Sequence, residues 1–174
     1  MPQIVIVMGS DADLPVLEQA FAVLRSFPVS WEARVISAHR TPEAALEFAR
    51  GARASGVQVI IAAAGKAAHL AGALAASTTL PVIGVPISTP GLGGLDALLA
   101  TVQMPSGVPV ATVAIDGAKN AALLALQIVG LGDARVAARL VEERQHLAEE
   151  VGSKDKAIRE HYCSTAETEQ GGPA

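Results

Sequence analysis

Hydrophobic positions in this chain come in short continuous runs, with polar residues gathered between them at a regular beat. "QIVIVM" (3–8), "WEARVIS" (31–37), "VQVIIAAA" (57–64), "LPVIGVP" (80–86) and "VPVATVAI" (108–115) have the length and the Val/Ile content of strands. Between them lie segments of helical character at 14–26, 42–54, 66–78 ("KAAHLAGALAAST"), about 94–101 and 117–130. Strands that alternate with helices and are apolar on both faces predict a parallel sheet covered by helices on each side. The expected fold is α/β, a doubly wound, flavodoxin-like three-layer sandwich.

From about Ala134 to Tyr162 the rhythm changes. Val136, Leu140, Leu147 and Val151 recur at helical spacing among Arg, Glu, Gln and Lys, which predicts an amphipathic C-terminal helix with no strand after it. Its apolar stripe has to dock on its own domain or on another subunit. The closing "STAETEQGGPA" is polar, with Gly and Pro, and has the composition of a disordered tail. The expectation is one domain over residues 1–162, helix included, and a disordered stretch over 163–174.

Composition sharpens this picture. Hydrophobic residues make up 51% and aromatics only 3%, so the core is aliphatic and its elements can approach closely. No apolar run reaches the roughly eighteen residues of a membrane span, and the N-terminus reads as a strand rather than a signal peptide, with no basic region before it. The single cysteine, Cys163, leaves no internal disulfide and fits a reducing, cytoplasmic setting. A net charge of −4 without basic clusters argues against nucleic acid as a partner.

In an open parallel sheet, ligands bind beyond the carboxyl ends of the strands. The polar oddities of this chain fall there: "GSDAD", "SAHR", "AGKAAH" and "ISTPGLGG" follow the first four strands. In the first, Gly9 permits a tight turn, and Ser10 offers a hydroxyl and a backbone N–H beside a helix N-terminus, a place for phosphate. Asp13 has two readings, as N-cap of the following helix or as acceptor for sugar hydroxyls. In the second, Thr41 is a candidate cap and Pro42 suits the first helical turn, which leaves Ser37, His39 and Arg40 in the connecting turn. Arg40 has the fork to bind a phosphate, or it is a surface ion-pair partner. His39 can shuttle protons, because a free imidazole titrates near neutrality. His69 reads as a satisfied buried histidine or as a partner to another site residue. The run "AAAGKAA" is stripped of bulk, so a small or planar ligand could approach its backbone, although tight helix packing explains it equally.

Other chemistries fit poorly. Four dispersed histidines and one cysteine near the end give no metal-ligand spacing, and the scarcity of aromatic rings disfavours a flavin. A phospho-receiver domain needs an aspartate after the third strand, where this chain has "AAAGK".

Taken in order, "MGS-x-x-D", "SAHRTP", "AG-x-AAHL", "VIGVP", "MPSGVPVATVAI" and "KNAALLALQI" closely resemble the PurE family of purine biosynthesis, over residues 3–150. The resemblance implies the flavodoxin-like fold, assembly as an octamer with active sites between subunits, and no cofactor. Its class I members are 5-(carboxyamino)imidazole ribonucleotide mutases, which move a carboxylate from the exocyclic amine to a ring carbon. It makes His39 the catalytic acid/base. Ser10, Asp13 and Arg40 become the nucleotide set, and Ser37, Gly65, Lys66, Ala67 and His69 line the substrate pocket. Three positions depart from the class I pattern: Ala12 replaces a serine, Lys66 a glycine and Ala71 a proline. A basic residue at 66 is also found in class II, which carboxylates 5-aminoimidazole ribonucleotide with carbon dioxide. Arg40 and "AAH" nevertheless favour class I. A class II-type carboxylase is the alternative activity, and a non-catalytic nucleotide-binding protein is a further one.

Overall fold

A computed structural model describes residues 1–163. Five parallel strands form one sheet in the order β2-β1-β3-β4-β5. They are β1 (Ile4–Met8), β2 (Trp31–Val35), β3 (Val59–Gly65), β4 (Val82–Ile87) and β5 (Ala111–Thr112). Helices follow each strand: α1 (Leu14–Arg25), α2 (Pro42–Ala52), α3 (Leu70–Ala75), α4 (Leu95–Val102), α5 (Ala118–Gly130), and finally α6 (Ala134–Tyr162). This is the three-layer α/β arrangement that the alternation of patterns predicts. Two compact units divide the chain, Met1–Ala138 and the part from Arg139 onward.

The three inner strands are buried along almost their whole length, as continuous apolar runs require when both faces are covered. Ala45, Ala49 and Ala52 of α2, with Leu70, Ala71 and Leu74 of α3, cover Val5, Val7, Ile60, Ala62 and Val82 on one face. Thr101 of α4 sits on the same face over Gly84, where a Cβ would collide with its methyl group. The Thr101 hydroxyl donates to the Ala97 carbonyl at 2.7 Å, so this buried polar group is satisfied within its own helix. On the other face α1 packs beside α5, whose alanines 118, 121, 122 and 125 are inaccessible to solvent. Small side chains there let the two helices approach closely.

Three elements differ from the pattern-based expectation. β2 is an edge strand, and most of it is exposed. Its Glu32 and Arg34 lie 3.5 Å apart, the Arg34 guanidinium stands over the Phe48 ring, and Trp31 stacks on Phe21 with ring centroids 5.2 Å apart. β5 covers two residues rather than eight, and Pro109, which has no N–H to give a ladder, lies just before its start. Beyond it Val113 and Asp116 still donate to the Gly84 and Pro86 carbonyls. α3 covers 70–75 rather than 66–78. Lys66 takes a left-handed backbone (φ 54°), and the Ala68 and His69 N–H groups close tight turns onto the Lys66 and Ala67 carbonyls.

α6 begins on a polar clasp. The Asp133 carboxylate accepts from the Arg135 backbone N–H at 2.9 Å and from its guanidinium at 2.8 Å, which holds the carboxyl down at about 2. From Arg139 the helix is laced with pairs at helical spacing, Arg139–Glu143, His146–Glu150 and Lys156–Glu160. His146 and His161 are surface residues, as the polar pattern implies. No described helix is long and apolar enough to cross a membrane. The expected tail begins at Cys163, which is exposed, and otherwise lies outside the described residues.

Candidate active site

The carboxyl ends of β1, β2, β3 and β4 open into one cleft of about 490 Å³. Ser10 and Asp13 reach it from the turn after β1, His39 and Arg40 from the turn after β2, Lys66 from the loop after β3, and Thr89 from the loop after β4. Ser37, Gly65 and Ala67 also line it, so eight of the nine site residues expected from sequence line one cavity. The ninth, His69, lies outside the lining but touches it through His39.

Arg40 is held in place before any ligand arrives. Its backbone N–H and Nε both donate to the Ser37 hydroxyl, at 3.2 and 3.4 Å, and its Nη2 donates to the Gly9 carbonyl at 3.1 Å. The guanidinium therefore ties the first two loops together and keeps donors free toward the cleft. Ser37 is thus a support for Arg40 as well as a wall residue. Thr41 does not cap α2 with its side chain. Its hydroxyl donates to the Ser37 carbonyl at 2.9 Å and accepts from the Ser37 N–H at 3.2 Å, which knots the turn upon itself.

Asp13 is likewise not a side-chain cap. A single 3-10 turn (Asp11–Asp13) separates β1 from α1, and Ser10 caps it by accepting from the Ala12 N–H at 3.2 Å. That leaves the Asp13 carboxylate largely buried at the cleft. Burial pushes its carboxyl above the usual range, a hydrogen bond from the Ser10 backbone N–H opposes this, and the Asp11 charge adds to it. A desolvated carboxylate facing a cleft is suited to accept from ligand hydroxyls.

His39 and His69 meet across the two loops. The His39 Nε2 lies 2.9 Å from the His69 Nδ1, with the rings edge to face. His69 is exposed rather than buried, because the short α3 leaves it on the loop shoulder. Gly65 is required by packing: a Cβ there would stand 2.9 Å from the Thr89 methyl group. Thr89 was not picked out by sequence reasoning, and its only signal was its place just past the fourth strand. Among the described residues no three His, Cys, Asp or Glu side chains gather as a metal site.

The sequence profile of AIR carboxylase matches residues 3–150, which takes in all five strands and every cleft residue. The chain belongs to the AIR carboxylase family. Its relatives within that family include the N5-carboxyaminoimidazole ribonucleotide mutase of Pyrococcus abyssi, 57% identical over 147 residues, or 84% of each chain. The protein of the same name from Mycobacterium tuberculosis is 53% identical over 157 residues, 90% of each. The crystal structure of Treponema denticola PurE matches with a TM-score of 0.82 at 28% identity, covering 91% of this chain and 99% of that one. Within the AIR carboxylase frame, the three departures seen in the sequence have different weights. Ala71 is a buried core residue, whereas Ala12 and Lys66 both border the cleft. Lys66 also holds the left-handed backbone that glycine adopts at no cost.

Proposed function

We propose that this protein is a cytoplasmic 5-(carboxyamino)imidazole ribonucleotide mutase of purine biosynthesis, with His39 as its acid/base and with copies of the chain assembled as an octamer. The observation that carries the site assignment is the pairing of His39 and Arg40 in one knotted turn, opening on the same cleft as Asp13 and Ser10. The mutase name carried by relatives above 50% identity supports this activity over direct carboxylation.

Arg40 and Ser10 take the phosphate, and Asp13 accepts from the ribose hydroxyls. This leaves the imidazole near His39 and the sparse Gly65–Ala67 wall. Protonated His39 gives its proton to the carbamate nitrogen, and the N–C bond breaks to release carbon dioxide inside the cleft. The electron-rich ring carbon attacks the trapped molecule. His39, now neutral, removes that carbon's proton and restores aromaticity, so one imidazole ends the cycle as it began. No cofactor enters the balance.

Replacement of His39 by Asn should abolish most turnover while nucleotide binding survives. Arg40→Ala should instead weaken binding by about 1.5–3 kcal/mol, the loss of a charge-assisted hydrogen bond. Steady-state kinetics and calorimetric titration of the two variants separate these effects. Near-normal rates in His39→Asn would reject His39 as the acid/base. Efficient use of 5-aminoimidazole ribonucleotide with carbon dioxide, alongside failure on the carbamate, would reject the mutase.

A further inference from the structure

We infer that Thr89 is a specificity-determining residue of the cleft, whose hydroxyl donates a hydrogen bond to the carboxylate that the reaction sets on the imidazole ring. The inference rests on the mutase reading and adds to that site a residue from the loop after β4.

Thr89 is held in place by its neighbours. The Ser88 N–H donates to the Asp116 carboxylate at 2.8 Å, and the Asp116 N–H donates to the Pro86 carbonyl at 2.9 Å, so the loop is tied to the end of its own strand. Pro90 follows, which confines the Thr89 backbone to extended conformations, and a β-branched side chain has few rotamers to choose from. The Thr89 methyl group fills the space beside Gly65, where a Cβ would stand 2.9 Å from it. Methyl and hydroxyl share one carbon, so packing of the first limits where the second can point.

Three hydroxyl side chains line the cleft, those of Ser10, Ser37 and Thr89. Ser10 donates to the Asp11 carboxylate and accepts from the Ala12 N–H. Ser37 accepts twice from Arg40. Thr89 is half-buried, and its Oγ1 has no partner among the described residues yet is not sealed from solvent. The sheet then supplies a direction. Its order, β2-β1-β3-β4, sets Arg40 on one flank of the cleft and Thr89 on the other, with β1 and β4 two strand spacings, about 10 Å, apart. A nucleotide with its phosphate at Arg40 and Ser10 and its ribose at Asp13 extends its ring along the Gly65–Ala67 wall toward β4. The ring carbon that receives the carboxylate lies across the ring from the ribose-bearing nitrogen, so the carboxylate is carried to the Thr89 side. A neutral donor suits a group that must leave one atom and join another. The full charge of Lys66, paired tightly with the carboxylate, would oppose its release from the carbamate.

The test compares Thr89→Val, which keeps the shape and a methyl group beside Gly65 but has no hydroxyl, with Thr89→Ser, which keeps the hydroxyl without the methyl. Calorimetric titration measures the binding of 4-carboxy-5-aminoimidazole ribonucleotide and of 5-aminoimidazole ribonucleotide, which differ only in the carboxylate. Thr89→Val should weaken the carboxylated nucleotide by about tenfold, the size of a hydrogen bond to a charged group, and leave the other within about twofold. Thr89→Ser should stay within about threefold of wild type for both. Unchanged binding in Thr89→Val would overturn the inference. So would an equal loss for both nucleotides, which would put the hydroxyl on the ring or the ribose, or a Thr89→Ser as weak as Thr89→Val, which would make packing the cause. If wild-type protein binds both nucleotides but does not turn over the carbamate, the mutase reading fails while the binding difference still judges Thr89. If it binds neither, both fall together.

Discussion

Single side chains in the cleft are set against the stability of the fold. Asp13 is the plainest case, since burial raises its carboxyl and so disfavours the ionised form that a sugar hydroxyl needs. The folded state then binds the proton more tightly than the unfolded chain. This cost is absent at pH values below the unfolded value of 3.8 and grows as pH rises through the raised one. Asp13→Asn should therefore melt at a higher temperature than wild type at pH 7, with the difference closing below about pH 4, and should bind nucleotide more weakly. Equal melting shifts at both pH values would contradict the account. Lys66 is a second case. Its left-handed backbone costs a non-glycine residue about 1–2 kcal/mol, partly offset by the flexibility glycine brings to the unfolded chain. Lys66→Gly should raise the melting temperature by about 2–4 °C and leave mutase activity within about tenfold, near 1.4 kcal/mol in barrier. A larger fall in kcat/KM would place the ammonium on one of the substrate's anionic groups. At this scale much of the site was legible, because polar residues in an aliphatic chain stand out wherever a strand ends. The His39–His69 contact was not, since two residues thirty positions apart meet only once the sheet has brought their loops together.

Elements were legible where burial alone decides them and less so where backbone detail does. β1, β3 and β4 follow their apolar runs closely. β5 and α3 are shorter than their patterns, and hydropathy does not register a proline before β5 or the left-handed Lys66 that delays the start of α3. The Asp13 and Thr41 side chains show the same limit: both precede helices, yet each is committed elsewhere. α6 has the cap that those two positions lack. Its Asp133 is held at about 2, below the unfolded 3.8, so it contributes stability above 3.8 that is lost as pH falls toward 2. Asp133→Asn should lower the melting temperature at pH 7 and make no difference near pH 2. A deficit that persists at the lowest pH would mean that the asparagine disturbs packing rather than removing a charged cap.

As a whole, the molecule leaves apolar surface to be covered. Leu92, Leu95, Leu99 and Val102 form an exposed stripe along and just before α4. Beyond Arg139, α6 carries Val141, Val151, Ile158 and Tyr162, also exposed. His39, Arg40 and Lys66 are open to solvent in the single chain, which suits a cleft completed by neighbouring copies. On the proposed octamer, with this stripe as a subunit contact, Leu95→Glu with Leu99→Glu should reduce the mass seen by light scattering by at least half, because charge buried at such a contact is costly. An unchanged mass would place the subunit contacts elsewhere. The sheet's polarity has one more consequence, for the observer rather than the enzyme. The only tryptophan, Trp31, pairs in register with Ile4 at the opposite end of the strands from the cleft. Four strand positions, about 13 Å, separate it from the carboxyl end of β2, and among the described residues no aromatic ring other than His39 lines the cleft. Intrinsic fluorescence will therefore follow the opening of the Phe21–Trp31 stack when the sheet edge unfolds, while an arriving nucleotide passes optically unseen.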